Sequence, residues 1–350
     1  MELTQKLALA QKVALNWKHL GECTQLEAFG SGWVNWTFKA QLGPHAVILQ
    51  KLHPIFTSEV HKDIQAVTSH LHCNDFLVPH LITTQENKLC VENESGCWRM
   101  QNYLNGHCYE TLASSNMANR AGQKVGMLHA STQNFEHKYF FSRVEAHNTT
   151  LYLERLKNAL LTHREHRLYP DVKELSDQVF AHSTSLPALW SLPLRHSHGD
   201  LKASNLLWNS QDQCISIIDW DTVGLLPWPM ELGDALRSWC NVKGEDAGDV
   251  NFDRNIFAAA LEGYAPHAGH LWTKREKECL VDGLLVICLE LSARFLSDAL
   301  SESYFSFDDK KFATRGEHNL ARAQAQWRLY KNIFNQADNL RALATKAFDG

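Results

Sequence analysis

Three polar residues in the middle of the chain have the types and the spacing of a phosphoryl-transfer site. Asp200 follows a His-Gly pair, Asn205 comes five residues later, and Asp219 ends an apolar stretch further along the chain. In such a site one Asp accepts the proton of the attacking hydroxyl, while an Asn and a second Asp hold magnesium. Asp200 is therefore the candidate base, and Asn205 and Asp219 are the candidate magnesium ligands.

The residues between Asn205 and Asp219 predict two short strands joined by a tight turn. An apolar segment at 206–208 is followed by polar residues at 209–213 and by a second apolar segment at 214–218, which is typical of strand, turn and strand. A hairpin brings its two ends together, as two ligands of one hard cation require. An Asp and an Asn at this spacing are a weak signal alone, but the combined pattern is far more specific.

Composition and charge exclude several other classes of protein. The chain has 350 residues, of which 44% are hydrophobic and 21% charged, enough for one large or two modest cores. The net charge of -5 and the absence of a long basic run argue against nucleic acid as the main partner. Nine cysteines without a Cys-x-x-Cys pair indicate neither a disulfide framework nor a zinc ribbon, and the 19 histidines show no convincing metal-ligand spacing.

No apolar run is long enough to span a membrane, and the cysteine pattern fits a reducing compartment, so the sequence predicts a cytoplasmic protein.

The periodicity of apolar residues changes near residue 105. Strand signals come first, at 26–30, 33–41, 45–52, 88–92 and 97–104, with one helical stretch at 58–72. Helical periodicity then dominates, at 116–132, 149–162, 172–182, 234–239, 252–264, 274–300 and 318–348. We therefore expect an α+β protein with a small N-terminal nucleotide-binding lobe (1–104) and a larger, mostly helical catalytic and acceptor-binding lobe (105–350).

Phosphoryl transfer also needs groups in the smaller lobe that hold the phosphates of a nucleotide. Gly30, Ser31 and Gly32 form a turn whose backbone N–H groups could approach phosphate oxygens, although an ordinary hairpin turn explains them equally well. Gln50 and Lys51 lie on opposite faces of the next strand. We favour Lys51 as the phosphate-binding cation because of its charge, against the alternative of a solvated strand end.

A carboxylate on the helix at 58–72 should hold this cation. Asp63 and Glu59 are both candidates, since residues four apart lie on the same helical face. The segment at 98–106 predicts an edge strand and a hinge, where backbone groups, with Asn102 and Leu104 as the candidates, would bond to the adenine of ATP.

These motifs resemble the aminoglycoside phosphotransferase and choline kinase family, small-molecule relatives of the protein kinases. The resemblance rests on segments 198–205, 218–221, 103–106 and 126–129. Other segments are similar to the N-acetylhexosamine 1-kinase branch, at 30–35, 48–56, 67–71, 147–149, 232–237, 294–298, 304–305 and 318–324. Together these segments run from about residue 29 to residue 332.

The resemblance implies a bilobal protein-kinase-like fold that transfers the γ-phosphate of ATP, with Mg²⁺, to the anomeric hydroxyl of N-acetylglucosamine or N-acetylgalactosamine. It implies the same roles for Asp200, Asn205 and Asp219 that the spacing predicts. The candidates for the substrate site are Arg294, Tyr304, Asp234, His198 and Lys202.

The sequence departs from the branch at several positions. Gly199 stands where the branch has Cys, and the spacing from Arg294 to Tyr304 is one residue shorter. Gln50 matches the branch at the position where a lysine is expected, and this leaves the phosphate-binding role unassigned.

Alternatives remain at this stage. Glu290 and Arg294 could form a surface i,i+4 ion pair, and Asp234 with Arg237 could support the catalytic loop structurally. The acceptor could be an amino alcohol, a thio-sugar or an aminoglycoside, because an aromatic cage would suit a cationic substrate. The candidate cage residues are Trp220, Trp228, Trp239 and Trp272. A catalytically inactive binding protein with the same fold is disfavoured, because it would not need all three site residues.

Overall fold

The structure is a computed structural model that describes residues 2–30, 35–141, 147–244 and 250–350. Its chain divides into two units, and each unit is discontinuous in sequence. The first unit comprises Met1–Gly106, Asn134–Ser142 and Ser216–Val223. The second comprises His107–Gln133, Arg143–Ile215 and Gly224–Gly350.

The first unit is built on a six-stranded antiparallel sheet. The strands are β1 (Cys23–Ala28), β2 (Trp36–Leu42), β3 (His45–Lys51), β4 (Leu81–Ile82), β5 (Val91–Asn93) and β6 (Gly96–Asn102). The order is β1-β2-β3-β6-β4, and β5 pairs with β6. Helices α1 (Leu3–Ala14) and α2 (Val60–Cys73) also belong to the unit. Alternation in β2 turns Phe38, Ala40 and Leu42 inward, where they join Trp17 and Trp98 in the core.

The second unit is mainly helical. Its helices are α3 (Ser115–Ser131), α4 (Thr149–Thr162), α5 (Tyr169–Ser183), α6 (Trp228–Trp239), α7 (Arg254–Ala268), α8 (Lys274–Glu278), α9 (Leu280–Ser301), α10 (Arg315–Asn335) and α11 (Ala337–Asp349). Two short strands, β7 (Arg195–Ser197) and β10 (Gly224–Leu226), pair antiparallel. Helices α6 and α9 approach closely at Gly283. A Cβ atom added to this glycine would lie only 1.9 Å from the carbonyl oxygen of Pro229.

The predicted hairpin is present. Strand β8 (Leu206–Trp208) pairs with β9 (Cys214–Ile217) in a two-stranded sheet. A 3₁₀ turn at Ala203–Asn205 precedes it, and another at Trp220–Thr222 follows it. The candidate residues Asn205 and Asp219 therefore flank the hairpin in sequence.

The antiparallel sheet in the N-terminal part and the mainly helical remainder confirm the α+β class expected from the sequence. The structure divides the predicted helix at 274–300 at Cys279 and the one at 318–348 at Gln336. It also adds β4, a strand of two residues. No helix among the described residues is long and apolar enough to cross a membrane.

Candidate active site

Glu231, in the first turn of α6, holds the loop that carries Asp200. Its carboxylate accepts the backbone N–H groups of His198 at 2.7 Å and of Gly199 at 3.0 Å. Glu231 is only 1% exposed, so these charge-assisted hydrogen bonds are shielded from water. Gly199 has a φ of +82°, a left-handed conformation that favours glycine. The turn before Asp200 is thus fixed by a buried carboxylate.

An aromatic cluster surrounds Glu231. The His129 imidazole stacks on Trp228 with ring centroids 4.2 Å apart, and its Nδ1 lies 2.7 Å from the hydroxyl of Tyr264. Burial alone would raise the pKa of Glu231, but interactions with His129 and His198 outweigh it and hold that pKa below its usual value. Burial lowers the pKa of His129. The carboxylate is therefore the charged member of this cluster at neutral pH.

The Asp200 carboxylate is ionised and partly accessible. Its Oδ2 accepts hydrogen bonds from Lys202 Nζ at 2.8 Å and from Asn205 Nδ2 at 3.0 Å, and its side chain is 28% exposed. Burial acts to raise the pKa of Asp200, but Lys202, His198 and Asn205 together hold it below its usual value. An ionised carboxylate with an accessible oxygen can accept a proton.

The other sequence-predicted residues of this loop come together around Asp200. Asn205 Nδ2 also donates to the Asp200 carbonyl at 2.8 Å, so the amide oxygen of Asn205 is the atom that the predicted cation site would use. The Asp200 N–H donates to Nδ1 of the buried His198 at 3.3 Å. Helix α6 supports the loop again, since Trp239 Nε1 donates to the Leu201 carbonyl at 2.8 Å.

Asp219 follows β9 directly and has unusual backbone geometry. Its φ is +69°, in the left-handed region that residues other than glycine rarely adopt. Trp220 anchors the following turn by donating from Nε1 to the Ile217 carbonyl at 2.9 Å. Strained backbone of this kind is frequent at functional sites. Asp219 belongs to the first unit and Asn205 to the second, so their coordination of one shared ion stays a prediction.

A buried arginine that is not among the sequence-predicted site residues lies beside Gln50. Arg99 is paired with Gln50 across β3 and β6, and its Nε and Nη2 donate to Gln50 Oε1 at 2.9 and 2.8 Å. Its Nη1 forms an ion pair with Asp221, and the side chain is 2% exposed. Asn35 Nδ2 donates to the other Asp221 oxygen at 2.7 Å. Arg99 therefore positions Gln50 and the turn after Asp219.

Lys51 and Asp63 have separate neighbours in the first unit. The Lys51 ammonium lies 4.1 Å from the centroid of the Trp36 ring. The buried Asp63 carboxylate accepts hydrogen bonds from His137 at 2.8 Å and from the backbone N–H groups of Phe140 and Phe141 at 3.0 and 2.8 Å. Asp63 therefore holds the segment around residue 140, and the expected bond between a helix carboxylate and Lys51 does not form through it. Binding of a nucleotide by Lys51 stays a prediction.

Three of the remaining nucleotide-site candidates, Gly30, Asn102 and Leu104, lie within the described residues. Gly30 has a φ of +78°, and no atom of the described residues beyond its chain neighbours lies within 4 Å of a Cβ built on it. Ser31 and Gly32 lie outside the described residues. Asn102 uses its Oδ1 to accept the His80 N–H at 2.7 Å, and Leu104 is half-buried in the segment after β6. The adenine contacts predicted for Asn102 and Leu104 stay predictions.

Arg294 and the loop after α9 form a cationic and aromatic surface in the second unit. The Arg294 guanidinium lies 4.7 Å from the Tyr152 ring and 5.5 Å from the Phe305 ring. Asp298 fixes the loop by accepting the backbone N–H groups of Tyr304 and Phe305, both at 2.8 Å. Tyr304 is 53% exposed, and its ring centroid lies 4.8 Å from that of Phe305. The structure thus brings Arg294 and Tyr304 into one neighbourhood through Phe305.

Glu290 and Asp234 both have hydrogen-bond partners within the second unit. Glu290 is buried and accepts a hydrogen bond from Thr149 at 2.8 Å, so a surface ion pair between Glu290 and Arg294 is wrong. Asp234 accepts a hydrogen bond from Arg237 Nε at 3.0 Å within α6, which is the structural pairing considered as the alternative to substrate binding.

Several solved structures with the same fold are small-molecule kinases. The amicoumacin kinase structure in complex with AMP-PNP, Ca²⁺ and Ami has a TM-score of 0.64 at 15% identity, with 96% of this chain and 94% of that chain covered. A choline kinase from Cryptosporidium parvum Iowa II has a TM-score of 0.60 at 13% identity, with coverages of 96% and 97%. A microcompartment-associated aminopropanol kinase has a TM-score of 0.62 at 16% identity, with coverages of 95% and 98%. At these identities the likeness is one of fold, and it confirms the protein-kinase-like fold expected from the sequence.

A family model described as the phosphotransferase enzyme family matches residues 25–270. The chain therefore belongs to the phosphotransferase enzyme family. The enzyme class expected from Asp200, Asn205 and Asp219, a phosphotransferase with an alcohol group as acceptor, is confirmed.

Proposed function

We propose that the chain is an ATP- and Mg²⁺-dependent kinase that phosphorylates the anomeric hydroxyl of an N-acetylhexosamine. The observation that carries the proposed chemistry is the Asp200 carboxylate. It is ionised, partly accessible, and oriented by Lys202 and Asn205. The amicoumacin kinase structure contains a nucleotide analogue and Ca²⁺, which supports the use of a nucleotide with a divalent metal.

The donor atoms of the candidate metal site fit a hard cation. Asn205 offers an amide oxygen because its nitrogen is bonded to Asp200, and Asp219 offers a carboxylate at a fixed turn. When bound, Mg²⁺ would neutralise charge on the phosphate oxygens. In the same reaction Asp200 takes the proton of the acceptor hydroxyl, while the hydroxyl oxygen bonds to the γ-phosphorus and ADP leaves. Lys202 stabilises the charged form of Asp200 before the transfer.

The surface around Arg294 supports a neutral, oxygen-rich acceptor. A guanidinium has five N–H donors and no acceptor, so it suits hydroxyl and acetamido oxygens of a sugar. Its location between the Tyr152 and Phe305 rings holds the planar group in one orientation. A cationic acceptor such as choline would meet like charge at Arg294, and like charges repel at short distance.

The burial of the candidate tryptophans argues against an aromatic cage for a cationic substrate. The tryptophans proposed for it are all at most 5% exposed. Trp228 stacks on His129, and Trp239 donates a hydrogen bond to the Leu201 carbonyl of the loop that carries Asp200. These rings pack the interior of their units, so the amino alcohol and aminoglycoside alternatives have no aromatic site among them.

Release of ADP across a panel of acceptors tests the proposal. The panel contains N-acetylglucosamine, N-acetylgalactosamine, glucose, choline, ethanolamine and an aminoglycoside, each with ATP and Mg²⁺. We expect ADP release with at least one of the two N-acetylhexosamines and none with its methyl glycoside, whose anomeric oxygen carries no proton. The Asp200→Asn variant measures the background.

Two outcomes would contradict the proposal. Release with the methyl glycoside would place the phosphate on another hydroxyl. Release only with choline, ethanolamine or the aminoglycoside would favour the alternative substrate classes and leave the phosphotransferase assignment intact.

A further inference from the structure

Three potential soft-metal ligands lie together in the first unit. His61 is on α2, Cys90 precedes β5, and Cys97 is on β6. Their ligand atoms all lie within 4.8 Å of one another, and this is the one group of its kind in the part of the chain that the structure describes. The cluster involves none of the residues proposed for phosphoryl transfer.

Strand pairing explains why the sequence spacing concealed this cluster. The register pairs Glu92 with Cys97 and Val91 with Trp98. Since side chains alternate along a strand, Cys90 lies on the same face as Glu92 and therefore on the same face as Cys97. Helix α2 adds His61 to that face. The three ligands thus come from separate elements and follow none of the usual short metal-binding motifs.

His61 is oriented as a metal ligand would be. Its Nδ1 lies 2.8 Å from the carbonyl oxygen of Ser58, so this nitrogen carries the proton. The lone pair is then on Nε2, which is buried and makes no well-aligned hydrogen bond within the described residues, although Cys90 lies close enough for His61 to lower the pKa of its thiol. An unsatisfied buried acceptor destabilises a fold. Metal-binding histidines characteristically donate their other ring N–H to a carbonyl or carboxylate, which fixes the tautomer.

The two cysteines are free thiols and interact with each other. A hydrogen bond from Cys97 and a smaller contribution from His61 lower the pKa of Cys90 to about 5 although burial opposes this, and the pKa of Cys97 is correspondingly raised. The pair therefore holds one proton readily and the second weakly. Metal binding uses the thiolate form and displaces the remaining proton.

We propose that His61, Cys90 and Cys97 bind one thiophilic d¹⁰ metal ion, with Zn²⁺ as the ion to test first. Zinc bonds of about 2.3 Å to sulfur and about 2.0–2.1 Å to nitrogen, in tetrahedral geometry, place ligand atoms roughly 3.4–3.8 Å apart. The observed limit of 4.8 Å needs closure by no more than about an ångström or so. Two thiolates and an imidazole select Zn²⁺ or Cu⁺ over Mg²⁺ and Ca²⁺. With three protein ligands, a water would complete the coordination of Zn²⁺.

The location of the cluster indicates a structural role for the ion. His61 is two residues from Asp63, which holds the segment around residue 140. Cys97 is two residues from Arg99, which is bonded to Gln50 and Asp221. A metal ion here would link α2 to the β5–β6 hairpin through coordination bonds to His61, Cys90 and Cys97. It would stabilise the unit that carries Asp219 without touching the site of phosphoryl transfer.

Zinc titration of the metal-stripped, fully reduced protein tests the site, with a chromogenic chelator as competitor. We expect one Zn²⁺ per chain for the wild type and a rise in Tm on addition of Zn²⁺. The variants Cys90→Ser, Cys97→Ser and His61→Asn should each lose more affinity than the roughly 10–100-fold that a supporting residue contributes. The asparagine amide can still donate to the Ser58 carbonyl, so His61→Asn removes mainly the Nε2 ligand. His72→Asn and Cys73→Ser, exposed positions on the same helix, are the matched controls and should bind as the wild type does.

Spectroscopy provides a second readout that does not depend on the stability of the variants. Co²⁺ bound to the wild type should give a thiolate-to-metal charge-transfer band and the visible bands of a tetrahedral ion. Parallel titration with Cu⁺ distinguishes the two d¹⁰ ions. The proposal is overturned if the reduced wild type binds neither ion stoichiometrically, if the control variants lose affinity as the ligand variants do, or if Cys90 and Cys97 form a disulfide that resists reduction and no metal is bound.

Discussion

The guanidinium of Arg99 is ion-paired with the carboxylate of Asp221, which lies 122 positions later in the chain. Both side chains are almost fully buried, and both belong to the first unit. Asp221 is two residues after Asp219, the candidate magnesium ligand. The pair therefore fixes the turn that carries Asp219 to the sheet of this unit.

Removal of Arg99 should strongly destabilise the protein. The substitution Arg99→Met leaves Asp221 buried without its cation, and breaking a buried pair in this way costs about 3–5 kcal/mol. Urea denaturation measures the change in the free energy of unfolding. Lys88→Met is the control, because it breaks an exposed ion pair with Glu86 in the same unit, where little change is expected. Equal effects of the two substitutions would show that Arg99 does not have the stabilising role assigned to it.

Asp200→Asn should lower kcat by roughly 100- to 10,000-fold, because a positioned base usually contributes that much to the rate. An amide cannot accept the proton of the acceptor hydroxyl, yet it keeps the size of the side chain and one acceptor oxygen. Affinity for ATP, measured by calorimetry, should stay within a few-fold. The exposed Asp171 serves as control in Asp171→Asn. A comparable loss of ATP affinity in Asp200→Asn would move Asp200 from the role of base to the metal site.

Asp219→Ala should weaken the binding of nucleotide only when Mg²⁺ is present. A hard cation loses a carboxylate ligand in this variant, whereas contacts to the nucleotide itself are unchanged. The measurement compares nucleotide Kd with and without Mg²⁺ in the wild type, Asp219→Ala and Asp309→Ala, the last being an exposed control. If the magnesium dependence of Asp219→Ala equals that of the wild type, Asp219 is not a ligand.

Glu231→Gln should change both turnover and the pH dependence of stability. A glutamine has one acceptor oxygen where the carboxylate serves two backbone N–H groups, so the loop before Asp200 loses a charge-assisted bond and kcat should fall. Despite burial, which acts in the opposite direction, the pKa of Glu231 is held below the usual value of 4.5 by its interactions with His129 and His198. A lowered pKa contributes stability that is present above that usual value and is lost as the pH falls through the folded-state pKa.

The free energy of unfolding measured between neutral pH and acid checks this expectation. The wild type should lose stability in acid more steeply than Glu231→Gln, while Glu262→Gln, at an exposed position of α7, should follow the wild type. Parallel curves for the wild type and Glu231→Gln would remove Glu231 from the acid-sensitive groups.

The sequence was most informative where structure depends on local pattern. The helix predicted at 149–162 has those bounds in the structure, because Asn148 caps it and apolar residues repeat at helical spacing. The hairpin between Asn205 and Asp219 was predicted by its strand and turn residues. Asp200, Lys202 and Asn205 were found together because their contacts span five residues or fewer.

Contacts between distant segments could not be predicted in this way. The division at residue 104 treats each lobe as continuous, whereas the first unit includes Asn134–Ser142, bonded through Asp63, and Ser216–Val223, bonded through Arg99. A charged residue within the apolar strand β6, on the same face as Gln50, was the available signal for Arg99. Glu231 had a similar signal, since it is an acidic residue in the apolar first turn of a helix close to Asp219 in sequence.

Substitution of Arg294 tests the proposed acceptor. Arg294→Ala should raise KM for N-acetylglucosamine or N-acetylgalactosamine at least about tenfold, since hydrogen bonds from a charged donor contribute roughly 1.5–3 kcal/mol each. KM for ATP should change little, because the rings that contact Arg294, those of Tyr152 and Phe305, are not among the residues proposed to bind the nucleotide. Arg294→Lys keeps the charge and loses the planar fork of donors, so it should recover only part of the sugar affinity.

A structural role for Arg294 predicts a different set of results. The guanidinium packs against Tyr152 and Phe305, so its removal could loosen the loop that Asp298 holds. Tm would then fall, and both KM values would change together. Arg328→Ala, at an exposed position of α10, controls for the loss of a surface arginine. If Arg294→Ala folds with the Tm of the wild type and keeps wild-type sugar kinetics, Arg294 does not bind the acceptor and the N-acetylhexosamine proposal loses its main structural support.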